Sequence, residues 1–208
     1  MILGIIAIDA DGVLLNYNDA YAVAWQRAFG AYPDLQNRGA YWAKERWKVE
    51  HLTGSRLKHF RSYFDESFWS SLPAYDGAID ACIRLKRAGY DLVCVTAMDP
   101  RFRQAREINL RNLGFPIERV FCTAGIDGPI SPKARTLAAI APVAFVDDYL
   151  PYMRGIPASI HAALIMRDPS GSPNIGSDLA LVHSRHTCLA EFVDWWVTQA
   201  HVGSLSGS

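Results

Sequence analysis

Ile5-Ile6-Ala7-Ile8-Asp9-Ala10-Asp11-Gly12-Val13-Leu14 decides how this chain is read. The apolar run, rich in isoleucine, reads as a buried strand. It stops at two carboxylates one residue apart, followed by a glycine. In an open α/β sheet, ligands bind beyond the carboxyl ends of the strands. Two acidic side chains at such a place are costly unless a cation or a reaction uses them. The stretch is therefore read as a nucleophile, Asp9, with Asp11 as its acid/base partner, on a magnesium ion. Asp-Gly is also ordinary turn chemistry, and the stretch by itself leaves both readings open.

Beyond Leu14 the period changes. Tyr21, Val23, Ala24, Trp25, Ala28 and Phe29 keep a helical rhythm from about Asn18 to Gly30, with Asn18 or Asp19 as the expected cap. From Leu35 to Phe68, aromatic and charged residues mix, which predicts two or three amphipathic helices with a break at Thr53-Gly54-Ser55. Residues 16–74 thus read as a small helical module inserted after the first strand. Alternation then returns. A helix opens at Asp76-Gly77 and closes at Gly89, and Tyr90 to Thr96 is a strand. A helix starts at Asp99-Pro100 and ends near Gly114, and Ile117 to Cys122 is a strand. Ser131-Pro132-Lys133 opens a further helix. Pro142 to Val146 is a strand that ends, like the first, at paired acids, Asp147-Asp148. Ala162–Met166 and Leu179–His183 predict late strands, Leu189–Ala200 a final helix, and residues 201–208 a disordered tail. No internal repeat is visible.

The 208 residues suffice to bury a sizeable core. The 21 basic and 21 acidic residues cancel, so no global field draws in nucleic acid or an anionic membrane. Cys82, Cys94, Cys122 and Cys188 form no C-x-x-C pair and read as buried reduced thiols. The N-terminal apolar stretch lacks a basic leader and reads as a strand, not a signal peptide. No apolar run is long enough to span a bilayer. The expectation is a soluble, cytoplasmic protein.

Strands alternating with helices predict an α/β fold, a Rossmann-like doubly wound parallel sheet carrying an all-α insert. Right-handed crossovers bring successive strand ends to one edge. Asp9, Asp11, Thr96, Asp147 and Asp148 would meet there, with Lys133 in reach from its helix start. That set suits phosphoryl transfer, which needs a nucleophile, a proton donor, a cation and donors for the phosphoryl oxygens. Mg²⁺ takes hard oxygen ligands such as Asp9 and Asp148, with or without Asp147. Asp11 would protonate the leaving alkoxide and then deprotonate the attacking water. Thr96 and nearby backbone N–H groups suit the phosphoryl oxygens, and Lys133 would offset the developing charge.

Asp9-x-Asp11-Gly12-Val13-Leu14, the strand ending in Thr96, Lys133, and Phe145-Val146-Asp147-Asp148 resemble, in order, the four motifs of the haloacid dehalogenase superfamily. The resemblance implies a Rossmann-like core, Mg²⁺ and an aspartyl-phosphate intermediate on Asp9. Carried over residue by residue, it implies Asp9, Asp11, Thr96 and Lys133 as catalytic residues. Metal contacts fall to Asp9, Asp11, Asp148 and Asp147, and substrate contacts to Thr96, Ala97 and Lys133. It makes residues 16–74 a cap that closes over a small-molecule phosphate ester. Dehalogenating relatives lack an acid two residues after the first Asp, because halide leaves without a proton; Asp11 therefore favours phosphate esters. The resemblance aligns Asp148 with the metal position and leaves Asp147 as ligand or Lys133 partner. A phosphomutase, a phosphonate hydrolase using a cap lysine (Lys44, Lys48 or Lys58), and a catalytically silent binding module are the alternatives.

Other candidates carry blander readings. Arg135 beside Lys133 reads as a solvated charge, and Asp99 as a helix cap. Trp25, Trp42, Trp47 and Trp69 read as packing within the insert, with one or two walling the substrate pocket. His51 and His59 read as surface histidines, His183 and His186 as structural. Exposed aromatics on the insert would mark a homodimer surface.

Overall fold

The structure, a computed structural model, describes residues 2–125 and 128–205, with side chains up to residue 199. The strands are β1 Gly4–Ile8, β2 Tyr90–Thr96, β3 Arg119–Cys122, β4 Ala144–Asp147, β5 His161–Ile165 and β6 Ser184–His186. They form one sheet in the order β3-β2-β1-β4-β5-β6, and every pairing is parallel. The helices are α1 Tyr17–Phe29, α2 Ala43–Arg46, α3 Gly54–Arg61, α4 Glu66–Trp69, α5 Ala78–Arg87, α6 Arg103–Leu113, α7 Ala134–Ile140 and α8 Leu189–Leu205.

Both faces of the sheet are covered, which is why its central strands read as unbroken apolar runs. Side chains alternate between faces. Ile6, Ile8, Leu92, Cys94, Ala144 and Val146 join one core, together with Leu85 of α5, Leu110 of α6 and Phe192 of α8. Ala7, Val93, Val95 and Phe145 join the other, together with Leu137 of α7. The ladder fixes the register of the motif residues. Ile8 lies opposite Cys94 and Val146, and the Asp9 N–H donates to Val146 O at 2.9 Å, one step beyond the strand.

The insert leaves and returns through a narrow neck. Leu15 pairs antiparallel with Ala74; Asn16 N donates to Pro73 O at 2.8 Å and Tyr75 N to Leu14 O at 2.9 Å. Inside it, Phe60 meets Tyr21 at 5.1 Å, Trp25 at 5.3 Å and Phe64 at 5.1 Å between ring centroids. Burying one such ring contributes about 2–3 kcal/mol, so aromatic packing holds together helices too short to stand alone. A further attachment joins the insert to the segment after β5. Ala40 bridges Ser170, Tyr41 N donates to Ser170 O at 2.9 Å and Ser170 N to Gly39 O at 3.0 Å, and Arg46 pairs with Asp168 at 3.2 Å.

Several local expectations are corrected. Asn16, not Asn18 or Asp19, caps α1: its side chain accepts from Asp19 N at 3.1 Å. Thr53-Gly54 is the start of α3 rather than a break between helices, and the residues before it are irregular. Leu179–His183 is not a strand. Ser177–Leu181 forms a 3₁₀ turn whose Leu179 packs on the sheet core, and the last strand is the polar Ser184–His186. An edge strand carries no apolar alternation strong enough to read. Helix α8 runs to Leu205, into the stretch expected to be disordered; residues 206–208 lie outside the described residues. Of the four free cysteines, Cys82 and Cys94 are buried, but Cys122 is half-buried and Cys188 exposed. No described helix is long and apolar enough to cross a membrane.

Candidate active site

The carboxyl ends of β1, β2 and β4 form the floor of a cavity of about 900 Å³, and the insert forms its roof. Asp9, Asp11, Thr96, Ala97 and Asp148 line that floor, so residues distant in sequence converge as the alternating pattern requires.

Lys133 stands at the start of α7 with its side chain fully buried. Its ammonium lies 2.7 Å from Asp9 Oδ1 and 2.6 Å from Asp147 Oδ2. Burial alone would push the ammonium down, but Asp147 and Asp9 outweigh it and hold Lys133 well above the usual range. At 2.7 Å the Lys133 charge holds Asp9 Oδ1 in place. Asp147 is fully engaged: Oδ2 with Lys133, and Oδ1 accepting from Tyr149 N at 2.9 Å. Lys133 and Asp147 stand behind the cavity wall rather than in it. Lys133, expected among the substrate contacts, therefore reaches the cavity through Asp9.

Asp148 faces inward. Its Oδ2 accepts from Arg167 Nη2 at 3.0 Å. Its main-chain oxygen accepts from Asn174 Nδ2 at 2.7 Å and from the Tyr41 hydroxyl at 3.4 Å. Burial pushes the Asp148 carboxyl up to about 6 against the pull of Arg167. Arg167 also donates from Nε to Gly12 O at 2.8 Å and from Nη1 to Asp168 Oδ2 at 2.6 Å, and its guanidinium covers the Tyr75 ring at 4.6 Å.

Asp11 points elsewhere. Its Oδ1 accepts from Arg106 Nη2 at 2.6 Å, and Arg106 is completely buried, its guanidinium 5.4 Å from the Trp69 ring centre. Burial raises the Asp11 carboxyl, Arg106 opposes, and the Asp9 charge raises it further. The side chain keeps 24% of its surface open to the cavity, so part of the desolvation is relieved there. Asp11 was expected among the metal ligands; its carboxylate lies outside the acidic cluster.

That cluster is Asp9, Asp147 and Asp148, whose oxygens come within 4.8 Å of one another. It fits a hard divalent cation on its donor chemistry. The backbone is also shaped for it. Gly12 has φ +98°, and a Cβ there would overlap the Asp148 carboxylate, so only glycine lets that carboxylate approach the first loop. Because Asp147 is spent on Lys133 and Tyr149 N, Asp9 and Asp148 are the residues with capacity for the ion.

Sequence reasoning missed Arg106 and Arg167. Arg106 continues the inward stripe of α6, with Ala105, Asn109 and Leu110 buried around it, and a charge on such a stripe was the available signal. Arg167 follows β5 at the same sheet edge as the carboxylates, so the rule applied to Asp9 applied to it as well. The blander readings hold elsewhere. Asp99 caps its turn, accepting from Arg101 N at 3.0 Å. Trp25 and Trp47 are buried, while Trp42 and Trp69 line the cavity. His51 is exposed at the mouth, and His59 contacts Ala28 O at 3.1 Å. His183 Nδ1 accepts from Ala162 N at 3.0 Å, and His186 Nε2 lies 2.9 Å from Ser184 Oγ. Lys44, Lys48 and Lys58 are exposed, with Lys44 alone at the cavity mouth.

A family model described as a haloacid dehalogenase-like hydrolase matches residues 3–141. The chain belongs to the haloacid dehalogenase-like hydrolases. No curated protein matches it in sequence. Among solved structures it is similar to a hydrolase of this family from Deinococcus radiodurans with bound phosphate and sodium, at 17% identity and TM-score 0.61, covering 90% of this chain and 92% of that one. It is similar also to a predicted phosphoglycolate phosphatase from Haemophilus somnus, at 17% identity and TM-score 0.61 over 92% and 97%. The L-2-haloacid dehalogenase from Xanthobacter autotrophicus, with chloropropionic acid covalently bound, aligns at 13% identity and TM-score 0.55 over 94% and 98%. These likenesses establish the haloacid dehalogenase-like fold and span two chemistries within it.

Proposed function

We propose that this haloacid dehalogenase-like hydrolase is a Mg²⁺-dependent phosphatase acting on a phosphomonoester. The observation that carries the reading is Asp11. A second carboxyl, raised by burial, lines the cavity two residues beyond Asp9. A halide leaves without a proton, whereas an alkoxide needs one.

Lys133 fixes Asp9 Oδ1, leaving Oδ2 to attack phosphorus. The phosphorus–oxygen bond to the alcohol breaks as Asp11 gives up its proton to the departing oxygen. Asp11 then takes a proton from water, whose oxygen attacks the aspartyl-phosphate, releasing phosphate and restoring Asp9. Buried Thr96, lining the floor, offers its hydroxyl to a phosphoryl oxygen. Asp9 and Asp148 would hold the Mg²⁺, which when bound supplies positive charge to the phosphoryl oxygens. Arg106 keeps Asp11 fixed at the floor. The insert, residues 16–74, serves as a cap that excludes water from the intermediate.

The test is release of phosphate from 4-nitrophenyl phosphate with and without Mg²⁺, by the native chain and by Asp9→Asn. Mg²⁺-dependent turnover that falls by at least about 10³-fold in the variant is the expected result. Undiminished activity in Asp9→Asn removes the nucleophile assignment. Chloride release from 2-chloropropionate without ester hydrolysis would turn the reading to dehalogenation.

A further inference from the structure

The roof and floor of the cavity differ in a way that bears on the alcohol half of the substrate. Two groups of rings line this one space. In one group Tyr17 contacts Phe64 at 6.4 Å and Trp69 at 6.3 Å. In the second, Tyr149 contacts Tyr41 at 6.4 Å and Trp42 at 6.3 Å. The charged lining residues that the insert supplies, Lys44, Glu50, His51 and Arg61, are all exposed and sit at the mouth. Between mouth and floor the insert offers rings, aliphatic side chains, the hydroxyls of Tyr17, Tyr21 and Tyr41, and Asn18, whose amide already reaches Tyr41 O at 3.5 Å. Drug-sized ligands occupy cavities of roughly 300–1,000 Å³, so about 900 Å³ is far more room than a phosphoryl group with a two-carbon alcohol fills. A sugar or nucleoside brings more hydroxyl and ring-nitrogen groups than these few hydroxyls can partner, and the remainder lose water uncompensated. A ring lodged between other rings gains offset or edge contacts as well as burial.

We infer that the leaving group is an aromatic, largely apolar alcohol, so that the substrate class is aralkyl or aryl phosphomonoesters. The inference rests on the phosphatase reading for its chemistry, and on the cavity alone for its ligand. A bare aryl ester confuses binding with intrinsic reactivity, because a phenol leaves more readily than an alkanol. The decisive pair is therefore 2-(1-naphthyl)ethyl phosphate against ethyl phosphate, with glucose 6-phosphate as the polar control, each assayed with the full chain and Mg²⁺. Burying roughly 100 Å² of ring surface corresponds to a preference of at least about 30-fold in kcat/KM, expressed mainly in KM. Phe64→Ala should remove most of that ratio. A ratio near one, or preference for glucose 6-phosphate, overturns the inference while leaving the phosphatase reading intact.

If no ester is hydrolysed, the phosphatase reading fails and binding decides the ligand class on its own. Asp9→Asn is titrated with 2-(1-naphthyl)ethylphosphonate and with ethylphosphonate, following quenching of the tryptophan fluorescence to which Trp42 and Trp69 contribute. Binding of the naphthyl compound at least about tenfold tighter upholds the aromatic ligand class. Equal affinities overturn it.

Discussion

The two sides of the cavity are built on opposite principles. The floor is charged and buried: Asp9 and Asp147 share the Lys133 ammonium, Arg167 holds Asp148 and Arg106 holds Asp11. The roof is a stack of rings around Phe60 and Phe64. A buried ion loses its hydration and recovers it only from a partner at one place, so each floor residue depends on its neighbour's identity. Rings attract without strong direction and tolerate repacking. A single change should therefore cost more in the floor than a conservative apolar change in the roof.

Three measurements can break or sharpen this contrast. The largest effect is expected from Lys133→Met, which strands Asp9 and Asp147 as unpaired buried carboxylates. Urea unfolding should show a loss of about 3–5 kcal/mol, and a loss below 1 kcal/mol would mean that the floor is less tightly coupled than the distances indicate.

The next concerns pH. Asp148 is raised from 3.8 to about 6, chiefly by burial. A raised carboxyl binds its proton more tightly in the folded state, so this contribution to stability is full below 3.8 and is lost as pH rises through about 6. Metal-free protein should thus gain up to about 3 kcal/mol from this group between pH 7 and 4 relative to Asp148→Asn. The comparison between native chain and variant cancels the titrating groups that do not interact with Asp148. An identical pH dependence for both would remove Asp148 as a source of strain in the floor.

The smallest effect belongs to the roof. Phe60→Leu keeps an apolar side chain in place and should cost about 1 kcal/mol in thermal unfolding, with Mg²⁺ affinity unchanged. A change in ion affinity would show that roof and floor are not separable.

The features most legible in the sequence are those with a repeating cause. Burial on both faces makes β1, β2 and β4 continuous apolar runs, and their carboxyl ends announce the site. Backbone topology predicts that Asp9, Asp11, Thr96, Asp147 and Asp148 meet at one sheet edge, and all but Asp147 line the cavity, as does Ala97, which only the family resemblance suggests. What the sequence hid depends on side-chain direction. That Asp147 would turn to Lys133, and Asp11 to Arg106, follows from rotamers and packing rather than from position along a strand. Arg106 and Arg167 were concealed by composition, since arginine on a helix or after a strand is ordinarily solvated. Strand β6 was hidden because its pairing rests on backbone hydrogen bonds to β5, and its residues, Ser184, Arg185 and His186, carry no apolar signature.

Besides the two chains of the neck, the insert meets the core at the clasp of Ala40, Tyr41 and Arg46 on Asp168 and Ser170, and around α4, where Trp69 lies against Phe102 and Arg106 and Leu72 O accepts from Asn109 Nδ2. For the insert as the proposed cap, the clasp defines a resting position. Any swing that lifts α2 away from the sheet must first release Tyr41 N from Ser170 O and Arg46 from Asp168. Since Asp168 also grips Arg167, which in turn grips Asp148, the latch ends in the very carboxylate proposed to hold the ion. The clasp and the proposed ion site thus share one run of ion pairs, from Arg46 through Asp168 and Arg167 to Asp148.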